Sequence, residues 1–298
     1  MADASLLAPA FGQVRVEVDD FLSALLEVPA DPRAELYEAM RYAAIGGGKR
    51  LRPLLVVAAA ALFHTSRERA VRVGTAVECI HVYSLIHDDL PAMDDDDLRR
   101  GKPTLHKVYG EATAILAGDA LHALAFEILA EEATHEDPFV RAELIAELAR
   151  AAGPGGMAGG QMMDLAAAGE ALDLAAVTRL QQLKTGALIG FCLEAGAIMG
   201  RVPSDRRLKL RGYARDVGLA FQIADDLLDE EGQEAKTGKK VGKDRARGKA
   251  TFVTLLGRER ARQQAEILVG QASDYLKSYG SEADLLRAIA RFAVERDH

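Results

Sequence analysis

The stretch from Cys79 to Thr104, CIHVYSLIHDDLPAMDDDDLRRGKPT, limits the folds open to this chain more than any other. An apolar run ends in Asp88 and Asp89, followed by Pro91, four more aspartates and two arginines. Six carboxylates within ten residues repel one another unless they face open water or share cations. Asp88 and Asp89 close an apolar stretch instead of occupying a polar face, which favours shared cations. Pro91 cannot donate to the carbonyl of His87, so a helix must kink or stop there. On an unbroken helix Asp88 and Asp94 would stand ~120° apart. A bulge over Leu90 to Ala92 turns both toward one point.

A partner stretch lies downstream, FQIADDLLDEEG, where Asp225 and Asp229 fall on one helix face, ~40° apart. Two apolar helices that each deliver aspartates to a cavity can hold hard divalent cations between them. Magnesium fits best, because it takes few carboxylates and completes its octahedron with water and phosphate oxygens. Two solvated acidic helix ends are the plainer alternative.

Further short strings occur in order around these two: GGGKRLRP at 46–53, AGDAL at 117–121, GGQMMDL at 159–165, KTGALI at 184–189, and Gly-Lys pairs at 238–239 and 248–249. With them, nearly the whole chain resembles the trans-prenyltransferases, in particular the bacterial farnesyl diphosphate synthases. The resemblance implies one domain over residues 1–298, built as a large orthogonal bundle of mostly antiparallel helices around a central active-site cavity. It also implies about three Mg2+ per site, a homodimer, and condensation of isopentenyl diphosphate with dimethylallyl or geranyl diphosphate to (2E,6E)-farnesyl diphosphate. A geranylgeranyl diphosphate synthase is the nearest alternative.

Composition agrees with an all-α chain. Of 298 residues, 49% are apolar, ample for a sizeable core, while aromatics make up only 5% and Trp is absent. Good helix formers dominate, and Val/Ile/Thr alternation bounded by turn residues is hard to find. A net charge of −8 argues against nucleic acid as the main partner. Cys79 and Cys192 lie in apolar surroundings without metal-site spacing, so they read as buried inert thiols of a cytoplasmic protein. The N-terminus lacks a secretory pattern. The run Leu54–Phe63 is about half of the ~20 residues a membrane span needs, so a soluble protein is expected.

Around the acidic clusters, Lys49 and Arg52 stand one turn apart at the start of a buried helix, where free N–H groups also favour an anion. A tight loop with solvated charges competes with that reading, and the Walker A spacing is missing. His81 precedes Asp88 by close to two turns; a satisfied core histidine is the alternative role. The resemblance places Lys49, Arg52, His81 and Arg100 at the isopentenyl diphosphate, and Arg99, Lys184 and Thr185 on the allylic side. Gln222 precedes Asp225 by three residues and faces the same site. Asp119 and His122 read as core residues with ordinary buried partners. GPGGMAGG at 153–160 is a linker or, by the resemblance, a kinked helix, with Gln161 and Asp164 one turn apart after it. KTGKKVGKDRARGK at 236–249, half of whose fourteen residues are basic, is a solvated loop, a nucleic-acid patch or a lid carrying Lys239 and Lys249. Tyr83 and Ser84, five and four residues before Asp88, are candidates for a cavity floor that limits product length, against simple core packing of Tyr83.

The expected chemistry has magnesium on Asp88, Asp94 and Asp225 neutralising the departing allylic diphosphate, with Lys184 and Arg99 assisting. No side chain stands out as the base. A class I terpene cyclase would need a different second acidic motif, and a non-catalytic prenyl-diphosphate-binding subunit would show degenerate clusters; both clusters are intact.

Overall fold

The computed structural model describes residues 4–167, 172–230 and 250–295. Helices α1 (Ala4–Leu25), α2 (Ala34–Ala44), α3 (Leu51–Ala61) and α4 (Arg67–Asp88) come first. A minimal hairpin then pairs β1 (Leu98–Arg99) with β2 (Lys102–Pro103), antiparallel, Leu98 opposite Pro103. It is the only sheet among the described residues. Next come α5 (Leu105–Tyr109), α6 (Glu111–Ala130), α7 (Pro138–Ala152), α8 (Met157–Ala166) and α9 (Leu174–Gln181). A π-helical turn, Gln182–Gly186, leads directly into α10 (Ala187–Met199). The chain continues through α11 (Leu208–Glu230), α12 (Phe252–Leu256), α13 (Arg258–Tyr275) and α14 (Asp284–Glu295).

The middle of the bundle is α3, whose residues from Pro53 to Ala60 are all buried. So apolar a helix has no face to give to water, and it is covered by α4 on one side and α10 on another. Small residues set how close these helices come. A Cβ at Gly196 of α10 would lie 2.5 Å from the Ala59 and Ala60 backbone, and one at Gly74 of α4 would lie 2.9 Å from Pro53 Cα. From this centre α6 packs outside α4, and α11 with α13 outside α10, so buried side chains run continuously from Val14 to Ala290. The glycines at 153–156 separate α7 from α8, making a break where a kink was the expectation.

Helix α6 is long and apolar enough to cross a membrane, which the shorter run at Leu54–Phe63 had not disclosed. It packs against α4, α2 and α7.

The loop before α3 turns on Arg50, in left-handed conformation at φ 54°. Its guanidinium is fully buried and bonded to Glu78 of α4 (2.9 Å), Asp19 of α1 (2.5 Å) and the Ala44 carbonyl closing α2 (2.5 Å). Four helices therefore converge on one side chain. Removing one partner of such a buried pair strands the other charge. Arg50→Met should cost about 3–5 kcal/mol, and adding Glu78→Leu should return a large part of it. Urea unfolding midpoints of the three proteins give the comparison; a single variant as stable as wild type would contradict this role.

Candidate active site

Pro91 acts as the sequence reading requires. Helix α4 stops at Asp88, and the chain turns back so that Asp94 N donates to Asp88 O (2.8 Å), Asp95 N to Leu90 O (3.1 Å) and Asp96 N to Asp89 O (3.2 Å). The turn sorts the six carboxylates. Asp89 and Asp96 are buried: Arg99 donates through Nε and Nη2 to Asp89 (2.5–2.8 Å), with Asp96 at 3.8 Å. Although burial opposes its charge, these bonds hold the Arg99 guanidinium above its ordinary pKa. Asp97 pairs with Lys107 (2.8 Å), and Asp95 is exposed. Asp88 and Asp94 are half-buried and repel each other. Burial, with Asp94 and Asp89 adding to it, pushes the Asp88 carboxyl up to about 6 against the relief offered by Lys184 and Arg99.

A cationic group lies earlier along α4. Arg52, His81 and Arg100 are half-buried or solvent-accessible yet ringed by protein, as side chains lining a deep cleft are. The Arg100 guanidinium lies against Gly47 and Gly48. Burial pushes Arg52 and Arg100 down, and the nearby Glu78 carboxylate partly restores both. Burial and then Arg52 and Arg100 push His81 well below its ordinary range, so it stands neutral at pH 7. Guanidinia crowded around one shared carboxylate suit a polyanion. Arg99 and Arg100, adjacent in sequence, point to different partners. Lys49 is exposed, its ammonium 5.5 Å from the Phe292 ring centroid on α14.

On the opposite wall the π-turn inserts an extra residue into the helical ladder and re-aims Lys184 and Thr185. Lys184 Nζ pairs with Asp164 (2.6 Å) and is close enough to act on Asp88. Thr185 Oγ1 donates to Gln222 Oε1 (3.3 Å) on α11, the helix of Asp225 and Asp229. Asp225 is exposed and acts electrostatically on Arg52. Tyr83 sits half-buried within reach of Asp88 and begins an edge-to-face aromatic file: His122 at 4.9 Å, then Phe126 at 5.2 Å from His122. Ser84 Oγ is spent on the His81 carbonyl (2.8 Å). Lys239 and Lys249, with the rest of 236–249, lie outside the described residues.

Three expectations need correction. Asp119 is exposed on α6, at the rim of the α4 contact with its carboxylate 4.0 Å from His87 Nε2, and is no core residue. His122 is only half-buried and belongs to the aromatic file. Asp89, read with Asp88 as favouring shared cations, is instead bonded to Arg99, and the sequence reading passed over Arg50, Glu78 and Asp226. A glutamate inside AVECI was the available signal, since a charge on an apolar helix needs a buried partner.

Among the described residues no three Asp, Glu, His or Cys side chains form a ready-made cation cage. Magnesium does not need one, since one or two carboxylates plus substrate phosphates and water suffice. Burial, with the Asp94 carboxylate adding to it, raises Asp88, and a cation would offset both effects, so the donor set fits the ion.

The polyprenyl synthetase family model matches residues 33–288. The chain belongs to that family. It is 47% identical to the farnesyl diphosphate synthase of Escherichia coli (strain K12), over 87% of this chain and 89% of the relative. It is 44% identical to that of Bacillus subtilis (strain 168), over 88% and 89%. An apo crystal structure of an FPP/GFPP synthase from Zymomonas mobilis superposes with a TM-score of 0.90 at 60% identity, over 99% of this chain and 100% of the other. The helical bundle is thus the isoprenoid synthase fold of polyprenyl synthetases.

In this polyprenyl synthetase the raised Asp88 carboxyl makes stability depend on pH in a direction opposite to that of a salt-bridged aspartate. Because the folded state holds the Asp88 proton more tightly than the unfolded chain, it loses stability as pH rises from about 4 through about 6. Asp88→Asn removes that loss. Thermal midpoints of the metal-free proteins should coincide near pH 4 and separate above pH 6 in favour of the variant; parallel curves would mean Asp88 ionises normally.

Proposed function

We propose that the chain joins isopentenyl diphosphate to an allylic diphosphate, ending mainly at farnesyl diphosphate. One observation carries the reading: a single helix, α4, ends in Asp88, a carboxyl that burial and the nearby Asp94 push up, and two turns earlier carries His81 within a guanidinium-rich group. One cavity thereby offers a metal-type and a cation-only diphosphate site.

Asp88, Asp94 and Asp225 would hold magnesium, about three ions by the family resemblance, which when bound would offset charge on the leaving diphosphate. Lys184 and Arg99 bind the allylic diphosphate; the buried Asp89 fixes Nε and Nη2 of Arg99, leaving Nη1 outside that pair. Arg52, Arg100, Lys49 and neutral His81 hold isopentenyl diphosphate without activating it. The allylic C–O bond breaks first, the isopentenyl double bond then attacks C1 of the resulting carbocation, and the released diphosphate takes the proton that is lost. Thr185 and Gln222 line the allylic side, and by the resemblance Lys239 and Lys249 serve bound diphosphate. The file Tyr83, His122, Phe126 supports a floor. The name of the Zymomonas mobilis relative favours a second reading, that some product grows beyond fifteen carbons. Exposed Ile115 and Leu116 on α6, with Val108 and Leu98 nearby in sequence, support a homodimer.

Incubation with magnesium, isopentenyl diphosphate and dimethylallyl or geranyl diphosphate, followed by gas chromatography of dephosphorylated products, is the direct test. Wild type should give chiefly fifteen carbons and Tyr83→Ala twenty or more; an unchanged length in the variant would acquit Tyr83. In the same assay Arg52→Ala should raise KM for isopentenyl diphosphate at least about tenfold with little change for the allylic partner, and Lys184→Ala the reverse. Equal shifts for both substrates in both variants would refute the division of the two sites.

A further inference from the structure

Of the aspartates at the end of α11, Asp225 is exposed while its neighbour Asp226 is buried, 8% exposed, so one residue type serves two purposes there. We propose that Asp226 is a positioning residue that sets the hydrogen-bond polarity of this wall through Gln222 and Thr185. The inference rests on the function proposed above.

Asp226 Oδ2 accepts from the backbone N–H of Phe252 at 2.9 Å, the first residue of α12. Its Oδ1 accepts from Gln222 Nε2, one turn earlier, at 3.2 Å. A carboxylate has no proton to give, so Gln222 must turn its NH2 toward Asp226. The other end of the amide, Oε1, then faces Thr185 Oγ1 at 3.3 Å. A carbonyl oxygen only accepts, so Thr185 must spend its single hydroxyl proton on Gln222. The orientation passes from the buried carboxylate to the π-turn without a choice at any step. Thr185 keeps only lone pairs for other partners, which suits an electron-poor allylic fragment; an outward proton would oppose positive charge there. Because Phe252 and Val253 are buried, the far anchor of Asp226 is itself fixed.

Asparagine tests this with almost no change of shape. Phe252 N–H claims the Asn oxygen, the Asn NH2 then meets Gln222 Nε2 donor to donor, and Gln222 must turn over. Thr185 would then accept from Gln222 and release its proton outward.

Kinetics with isopentenyl and geranyl diphosphates should be measured for wild type, Asp226→Asn, Thr185→Val and the double variant, alongside thermal midpoints. Asp226→Asn should lower kcat about tenfold or more, the scale of one misdirected polar group, with both KM values within about threefold. The double variant should be no slower than Thr185→Val alone, because Asp226 acts through that hydroxyl. A merely structural Asp226 would multiply the two losses and lower the thermal midpoint of both proteins that carry it. If Asp226→Asn does not fold, Gln222→Leu, which keeps the Phe252 anchor, must show the same non-additivity with Thr185→Val. Multiplied losses, or full kcat in the variant used, overturn the proposal. An inactive wild type would overturn the function itself, so the two failures are distinguishable.

Discussion

The burial of Arg50 is the interaction on which the rest of this structure depends. A guanidinium with no exposure must find carboxylate and carbonyl partners, and these come from α1, α2 and α4. The start of α3 is thereby pinned to α4 at Glu78, three residues before His81. Arg52, two residues on in the first turn of α3, inherits its position from that anchor. The same Glu78 carboxylate offsets Arg52 and Arg100, so one buried anion organises the backbone and moderates the charge of the site.

Charge in the cavity is divided by burial more than by residue type. Of the six aspartates from Asp88 to Asp97, the buried ones hold Arg99, an exposed one holds Lys107, and the half-buried Asp88 is pushed up by burial and by Asp94. Asp225 and Asp226 repeat the division on α11. A diphosphate with its cations would complete both halves at once, which explains how a chain of net charge −8 can bind polyanions. The file behind Asp88 is aromatic by contrast and carries no carboxylate or guanidinium.

Much of this was legible in the residues. Pro91 dictated the stop of α4, and the four-residue spacing of Asp225 and Asp229 dictated a common face, because both follow from local backbone geometry. Other roles were not. Nothing local distinguishes Asp89 from Asp88 or Asp226 from Asp225, since each pair differs only in which way a helix end turns against its neighbours. The π-turn that re-aims Lys184 and Thr185 was not legible, for an inserted residue leaves no mark in apolar periodicity. Asp119 was misjudged because apolar neighbours along α6 do not tell how far the contact with α4 shields a side chain at its rim from water.

By itself, then, the sequence determined a helical chain, the order of its elements, and the two acidic stretches with their basic companions, since these depend on periodicity, proline and charge along the chain. Tertiary structure decided the partners: Arg50 with Glu78, Arg99 with Asp89, Lys184 with Asp164, and Asp226 with Phe252 N–H. Those pairs join residues ten to twenty-eight positions apart. Only packing, which withdraws some carboxylates from water and leaves others wet, could select among so many like charges.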